Sequence, residues 1–284
     1  MISDYFIDLG FKDVREGMYE LFRFDEYGIP LYHYSWGDCY NPVFICHWGL
    51  YNLYLFKTQQ QQIHLDNFIK AVKWLEISGV QDERGLCYEF KFPLTKYKID
   101  FPWISAMGQG RAVSVLTRAY QLTQDKLYLD MAHQALQPFF IDASQGGVQS
   151  EIVKGYIWLE EYPCSPPSHV LNGFIISLMG LYDILVVDPR VKLKKLYDQL
   201  IQSLVHNLPR YDCGYWSYYN LYKYRDLANV DYHKYHILLL WKMYELTENK
   251  IFWEYSLKWE RYLNKPINRA LRHTTRIRQR LFKY

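Results

Sequence analysis

The sequence contains no pair of cysteines spaced C-x-x-C, and its five cysteines, at 39, 46, 87, 164 and 213, are odd in number and scattered. That pattern argues against both a disulfide framework and a zinc site, and it implies a reducing, cytoplasmic compartment. Behind Met-Ile-Ser-Asp-Tyr there is no basic stretch leading into an apolar one, so no signal peptide is read. The one apolar run that reaches spanning length, Val170 to Val187, contains Asn172 and Asp183 and is closed by Pro189. A buried helix of a soluble protein fits it better than a transmembrane segment. Gly108-Gln109-Gly110 lacks the preceding strand and the lysine of a phosphate loop, so its glycines are expected to serve close helix packing. His233 and His236 stand i, i+3 with no carboxylate or third histidine spaced to join them. No metal and no cofactor are therefore expected.

Acidic residues are missing from the last twenty positions. Lys265, Arg269, Arg272, Arg276, Arg278, Arg280 and Lys283 give residues 265–284 a charge of +7, which leaves −4 on the rest of a chain whose net charge is +3. This tail either is a solvated, partly disordered terminus or engages a polyanion, an acidic membrane surface or a partner. No nucleic-acid partner is expected.

Rings with a polar handle are abundant: 28 tyrosines and 9 tryptophans against 15 phenylalanines in 284 residues. Such side chains suit half-wet surfaces such as sugar-binding clefts, although most are expected simply to pack at helix rims. They also mark a repeat. Gly49-Leu-Tyr51-Asn-Leu, Arg118-Ala-Tyr120-Gln-Leu-Thr, Gly180-Leu-Tyr182-Asp-Ile and Lys242-Met-Tyr244-Glu-Leu-Thr place their tyrosines 69, 62 and 62 residues apart. Each closes an apolar helical run and is followed by a second, amphipathic run, at 63–77, 126–140, 191–207 and 250–263.

Four helical hairpins with the more apolar helix first predict a mainly α fold, an incomplete α/α toroid with first helices inside and second helices outside. Residues 1–42 are read as a lead-in forming a small β-hairpin or irregular cap, 43–264 as the toroid, and 265–284 as the basic tail. A plain helical bundle is less attractive because the return segments are long. Since all hairpin turns lie at one end, the returns 79–103, 142–168 and 209–233 are expected around one mouth with 32–42.

Counting 32–42 as the first, the third return, 142–168, is the most distinctive. In Glu160-Glu161-Tyr162-Pro163-Cys164-Ser165-Pro166-Pro167, the prolines hold Glu161 and Tyr162 out of helical geometry just before an apolar helix. A mouth gathering these with Tyr88, Trp103, Tyr219, Tyr232 and Arg225 suits a carbohydrate, whose ring faces stack on aromatics. Glu151 paired with Glu161 offers a glycoside-hydrolase alternative.

Several ordered motifs carry a specific resemblance: Phe101-Pro-Trp-Ile-Ser-Ala-Met-Gly-Gln-Gly110, Glu160-Glu-Tyr-Pro163 with Val170-Leu-Asn-Gly-Phe174, and Asp231-Tyr-His233 with His236-Ile237. Together with Asn41-Pro-Val43 and Trp48-Gly-Leu50, they make residues 35–264 similar to the C-terminal catalytic domain of heparosan D-glucuronyl C5-epimerases. The resemblance implies conversion of D-glucuronate to L-iduronate in an acidic, heparosan-like polysaccharide, by removal of the C5 proton and its return on the opposite face. Residue by residue it implies catalytic roles for Glu161, Tyr232, Tyr162 and Tyr219, with Glu161 and Tyr232 the opposed acid/base pair. Asn41, Tyr88, Trp103, Gln109, Arg111, Asn172, Arg225, His233 and His236 are the substrate-binding candidates. Tyr222 stands where animal members carry an arginine, so Arg225, Arg111 or Lys154 is expected to replace that cation. The β-barrel region preceding the helical domain in animal members has no counterpart in this sequence, which implies a shorter cleft or one closed by a homodimer. A polysaccharide lyase, which begins with the same proton abstraction, and a non-catalytic carbohydrate-binding protein are the alternatives.

Overall fold

The computed structural model describes residues 22–281, with side chains described from 23 to 277. Residues 1–21 of the lead-in expected over 1–42, the side chains of Arg278 and Arg280, and Lys283 lie outside the described residues. The chain enters as a three-stranded antiparallel meander, β1 (Phe22–Phe24), β2 (Pro30–Tyr34) and β3 (Gly37–Cys39), with Tyr32 opposite both Phe22 and Cys39. Asp25 builds the first turn by accepting from Tyr27 N at 2.9 Å and Ile29 N at 2.8 Å, with Gly28 at φ 77°.

Four helical hairpins follow: α1 (Pro42–Gln59) with α2 (Gln62–Ser78), α3 (Ala106–Thr123) with α4 (Lys126–Ala135), α5 (Leu171–Val187) with α6 (Val191–Asn207), and α7 (Val230–Thr247) with α8 (Lys250–Leu263). The repeat seen in the sequence is geometric. Gln60, Gln124 and Glu248 all adopt left-handed backbone at the hairpin turn, each donating its N–H four residues back, to Phe56, Tyr120 and Tyr244. Asp125 and Asn249 then cap the next helix through Leu127 N and Ile251 N.

The first helix of each hairpin is the inner one. In α3 every residue from Ala106 to Ala119 is buried, and α5 is buried almost throughout, whereas α6 buries only a stripe through Leu193, Leu196, Leu200 and Leu204. α3 and α5 approach backbone to backbone at Gly110 and Gly180, where a Cβ on either would collide with the other helix. Gly110 thus serves close helix packing, as the sequence implied, whereas Gly108 faces the Phe90 ring of a return segment. One buried ion pair, Arg118 Nη1 to Asp183 Oδ2 at 2.6 Å, ties the same two helices. Removing one partner is expected to cost about 3–5 kcal/mol because the other charge stays buried.

Two of the long return segments carry short antiparallel hairpins: β4 (Val80–Asp82) with β5 (Gly85–Cys87), and β6 (Gln149–Val153) with β7 (Tyr156–Leu159). The last return is pinned by bridges Asp212↔Ser217 and Tyr218↔Leu227. They do meet at one mouth. Val170 bridges Asn220, Asn220 Nδ2 donates to Tyr97 OH at 3.0 Å, and Ala106 N donates to Glu160 O at 3.0 Å. The basic tail is ordered as helix α9 (Pro266–Leu281), where the sequence offered a disordered terminus as one outcome. Among the described residues no helix is long and apolar enough to cross a membrane.

Candidate active site

Glu160 anchors the third return from below. Its carboxylate is fully buried and meets His169 Nδ1 at 2.7 Å, Ser150 Oγ at 2.6 Å, Ser168 Oγ at 2.6 Å and the N–H groups of Ser168 and His169 at 3.0 and 2.9 Å. Burial alone would raise its pKa, but the bond and charge of His169 and the two serine hydroxyls outweigh it and hold Glu160 below the usual carboxylate range. Anchoring this carboxylate fixes the direction of the next residue.

Glu161 points the other way, over α5. It is 6% exposed, and Gly173 is what leaves it room: a Cβ there would strike its carboxylate. Asn172 Nδ2 donates to its Oε2 at 3.4 Å. Burial pushes the Glu161 pKa up to about 7, against the opposing hydrogen bond of Tyr162 and charge of Lys96, with the charge of Glu160 reinforcing the rise. A carboxyl group balanced near neutral pH can both take and give a proton.

Four phenols surround it. Tyr162 OH lies 3.4 Å from Tyr219 OH, the Tyr219 and Tyr232 rings stand 4.7 Å apart, and Tyr97 stacks on Tyr162 at 4.6 Å. Tyr162 and Tyr219 both lie near enough to Glu161 to lower its pKa through hydrogen bonding, and Tyr219 acts on Tyr232 in the same way. Tyr232 remains 38% exposed, the most open of the catalytic candidates. Desolvation, followed by the charge of Glu161, raises the pKa of Tyr97, Tyr162, Tyr219 and Tyr232 alike. Before substrate enters, these phenols are therefore proton donors and relays, not phenolates.

A cation in electrostatic range of Glu161 is Lys96, which the sequence did not single out. Its ammonium pairs with Asp226 Oδ2 at 3.1 Å and lies 4.9 Å over the Tyr97 ring and 5.6 Å over that of Tyr219, while 52% of the side chain stays exposed. Desolvation lowers its pKa and Glu161 opposes the shift. The available signal was its place beside Tyr97, in a return segment already assigned to the mouth. Arg225, by contrast, is exposed in a left-handed turn after Tyr222, and its charge bears on Tyr218. Lys154 is exposed at the turn of the β6–β7 hairpin.

Most of the residues expected to bind substrate are committed to the scaffold. Asn41 caps α1 through Val43 N and donates to Tyr34 OH. Gln109 is buried and bonds Tyr88 N, Leu86 O and Ala135 O, which fixes the second return to α3 and buries Tyr88 beside it. Trp103 stacks on Phe90 at 4.1 Å, donates to Phe92 O and backs the Tyr162 ring from 6.1 Å. Arg111 spans the toroid axis, reaching His47 on α1 at 3.0 Å and Tyr235 on α7 at 3.2 Å.

His233 and His236 share Ser217 Oγ, at 2.7 and 2.9 Å from their Nδ1 atoms, and His233 stacks on Trp216 at 3.8 Å. Burial pushes His233 down to about 4, and burial followed by the charge of His233 lowers His236 well below the usual imidazole range. They hold the last return onto α7, and no metal-binding group is found among the described residues. Of the nine substrate-binding candidates, Asn172 alone touches Glu161 through a described hydrogen bond. The alternative pair Glu151–Glu161 does not form. Gln149 faces Leu159, so the two acids are four residues apart along the hairpin, roughly 13 Å, beyond the spacing a glycosidase uses. Glu151 instead accepts from Gly155 N in the hairpin turn.

The model of the D-glucuronyl C5-epimerase C-terminus matches residues 81–261. The chain is 36% identical over 224 residues to the D-glucuronyl C5-epimerase of Caenorhabditis elegans, covering 72% of this chain and 36% of that protein. It is 33% identical over 175 residues to an uncharacterized protein of Methanocaldococcus jannaschii, covering 61% of this chain and 56% of that one. The chain thus spans little over a third and little over half of these relatives. Among solved structures it is similar to an alpha-1,6-mannanase of glycoside hydrolase family 76 from Salegentibacter, with a TM-score of 0.54 at 12% identity over 93% of this chain and 71% of that one. A family 76 mannosidase from Bacteroides thetaiotaomicron gives a TM-score of 0.52 at 10% identity over 88% and 71%. At such identities the likeness is one of fold, and it agrees with the α/α toroid.

Proposed function

The chain belongs to the D-glucuronyl C5-epimerase C-terminal domain family, and from that premise we propose that it is a uronate C5-epimerase acting on a glucuronate-containing polysaccharide of the heparosan type. The observation that carries this reading is the contact of a carboxyl group balanced near pH 7, Glu161, with a connected set of phenols whose protons are held tightly.

The C5 proton is weakly acidic because it lies α to a carboxylate that is already charged. Its removal requires a cation or donors at that carboxylate while negative charge builds up there. Lys96 supplies the cation. Glu161 takes the proton as the C5–H bond breaks and its electrons move into the C5–C6 bond. Tyr232, the exposed phenol, then gives a proton to C5 from the opposite face. This leaves a protonated Glu161 and a Tyr232 phenolate. Because the phenol holds its proton more tightly than Glu161, transfer from Glu161 through Tyr162 and Tyr219 to Tyr232 runs downhill and resets the site.

Incubation with heparosan in heavy water tests the proposal. The expected result is deuterium at C5 together with iduronate, at unchanged chain length. An unsaturated product absorbing in the ultraviolet with chain shortening would identify a lyase, and absence of exchange in glucuronate polymers would leave only binding.

A further inference from the structure

Helix α9 docks with its faces reversed. Its apolar residues Ile267, Leu271 and Ile277 are exposed at 64%, 43% and 46%. The side turned to the protein carries Asn268, Arg272, Thr275 and Arg276 instead. Asn268 Nδ2 donates to Tyr262 O at 3.3 Å, Thr275 Oγ1 lies 2.8 Å from Tyr215 OH, and the Arg272 guanidinium stands 5.8 Å over the Trp216 ring. Burial of an apolar stripe positions most surface helices, and it does not position this one. Polar contacts to α8 and to the 209–233 return do.

That return carries Tyr219 and runs directly into Tyr232, so its contacts bring two arginines one helical turn apart to the rim of the mouth. Arg272 is within electrostatic range of Asp231, and Arg276 of Lys96. Three cations, Lys96, Arg272 and Arg276, therefore share one edge with two acids, Asp226 and Asp231, which leaves one positive charge in excess there, and the Arg272 Nε–H is buried without a partner. Like charges held together repel, and an anion laid among them removes that cost. A guanidinium is also the side chain whose planar fork matches a carboxylate.

We propose that α9 is a substrate-binding arm, in which Arg272 and Arg276 hold the carboxylate of a second uronate along the polymer from the one whose C5 faces Glu161. This rests on the uronate reading above and extends it from one sugar to a stretch of chain.

The test uses the full chain carrying Arg272→Gln with Arg276→Gln, and its Lys,Lys counterpart as the conservative control, each checked for an unchanged thermal melt. Equilibrium binding of long heparosan, with neutral dextran as control, is measured at several salt concentrations, and C5 deuterium exchange is followed on long heparosan and on a short heparosan oligosaccharide. The expected result is at least a tenfold loss of heparosan affinity with a shallower salt dependence, partly restored by the lysines. The ratio of polymer KM to oligosaccharide KM should rise by a similar factor. Wild-type heparosan affinity and KM ratio in the Gln,Gln variant would overturn the proposal while leaving the epimerase reading intact. Binding loss in a protein that exchanges no C5 proton would support the arm and sink the epimerase. Loss of affinity for phosphatidylserine vesicles but not for heparosan would overturn the proposal by making α9 a lipid-binding element.

Discussion

Glu160 and Glu161 are consecutive, both buried, and driven in opposite directions: the first is held ionised by His169, Ser150 and Ser168, while the second is pushed up to about 7. The difference comes from what the structure offers each carboxylate. Glu160 receives two backbone N–H groups and three side-chain partners, whereas Glu161 meets phenols and an amide at longer range. Since the charge on Glu160 also raises Glu161, the first acid tunes the second.

Glu160→Gln therefore has two expected effects. Without the neighbouring charge the Glu161 pKa falls, so the acidic limb of the pH profile for C5 exchange moves to lower pH, by up to about one unit. Stability drops by roughly 3 kcal/mol as the buried cluster loses its anion. A pH profile that stays in place in a folded variant would separate Glu160 from the chemistry.

Lys96→Met should move the same limb the other way. Its ammonium lowers the Glu161 pKa, so its loss raises it. If Lys96 also meets the substrate carboxylate, kcat/KM falls by roughly 10²–10³, the usual cost of one donor at a developing charge. A shifted limb with little loss of rate would leave Lys96 a tuning residue and send the carboxylate to another donor.

The toroid was legible because its signal recurs: four apolar runs ending in a tyrosine, each followed by a striped helix, survive local irregularity. The β4–β5 and β6–β7 hairpins were not, since strands of three to five residues are too short to show a period of two. At the site, Glu161 and Tyr162 stood out by their proline-stiffened loop. Lys96 did not, because it sits in a single 3₁₀ turn, Thr95–Tyr97, and becomes electropositive context for Glu161 only through a contact 65 residues distant. Gln109, His233 and Asn41 show the opposite difficulty: polar residues beside a cleft look like ligand contacts until their hydrogen bonds are counted, and here backbone groups, a helix N-terminus and Ser217 engage them.

Burial of Glu161 also carries a stability cost with a defined sign. Its folded pKa is about 7 against 4.5 for the free side chain, so the folded protein binds more protons between those values and loses stability as pH rises through that window. Glu161→Gln, which cannot ionise, is expected to match wild type near pH 4 and to exceed it by roughly 3 kcal/mol at pH 7.5 and above. Denaturant melts at the two pH values measure the difference directly. A variant equally destabilised at both would show that Glu161 is ionised and well solvated in the folded state.

The assignment of proton donor and acceptor rests on Tyr232 being the phenol open to the cleft and Tyr219 its link to Glu161. Tyr232→Phe and Glu161→Gln should both abolish net inversion, each by a factor of 10²–10⁴ as expected for loss of a positioned acid or base. Exchange should not vanish equally. With Tyr232 gone, Glu161 can still remove and return the proton on its own face, so glucuronate continues to take up deuterium while iduronate does not. With Glu161 gone, the base left to the proposed reaction is a Tyr232 phenolate whose formation desolvation opposes, so exchange from either epimer should be slow and should recover at high pH. Tyr219→Phe interrupts the return path and is expected to preserve a first turnover while slowing later ones, visible as a burst in pre-steady-state exchange. Full inversion by the Tyr232 variant, with its fold intact, would remove that phenol from the reaction and transfer its role to Tyr162 or Tyr219.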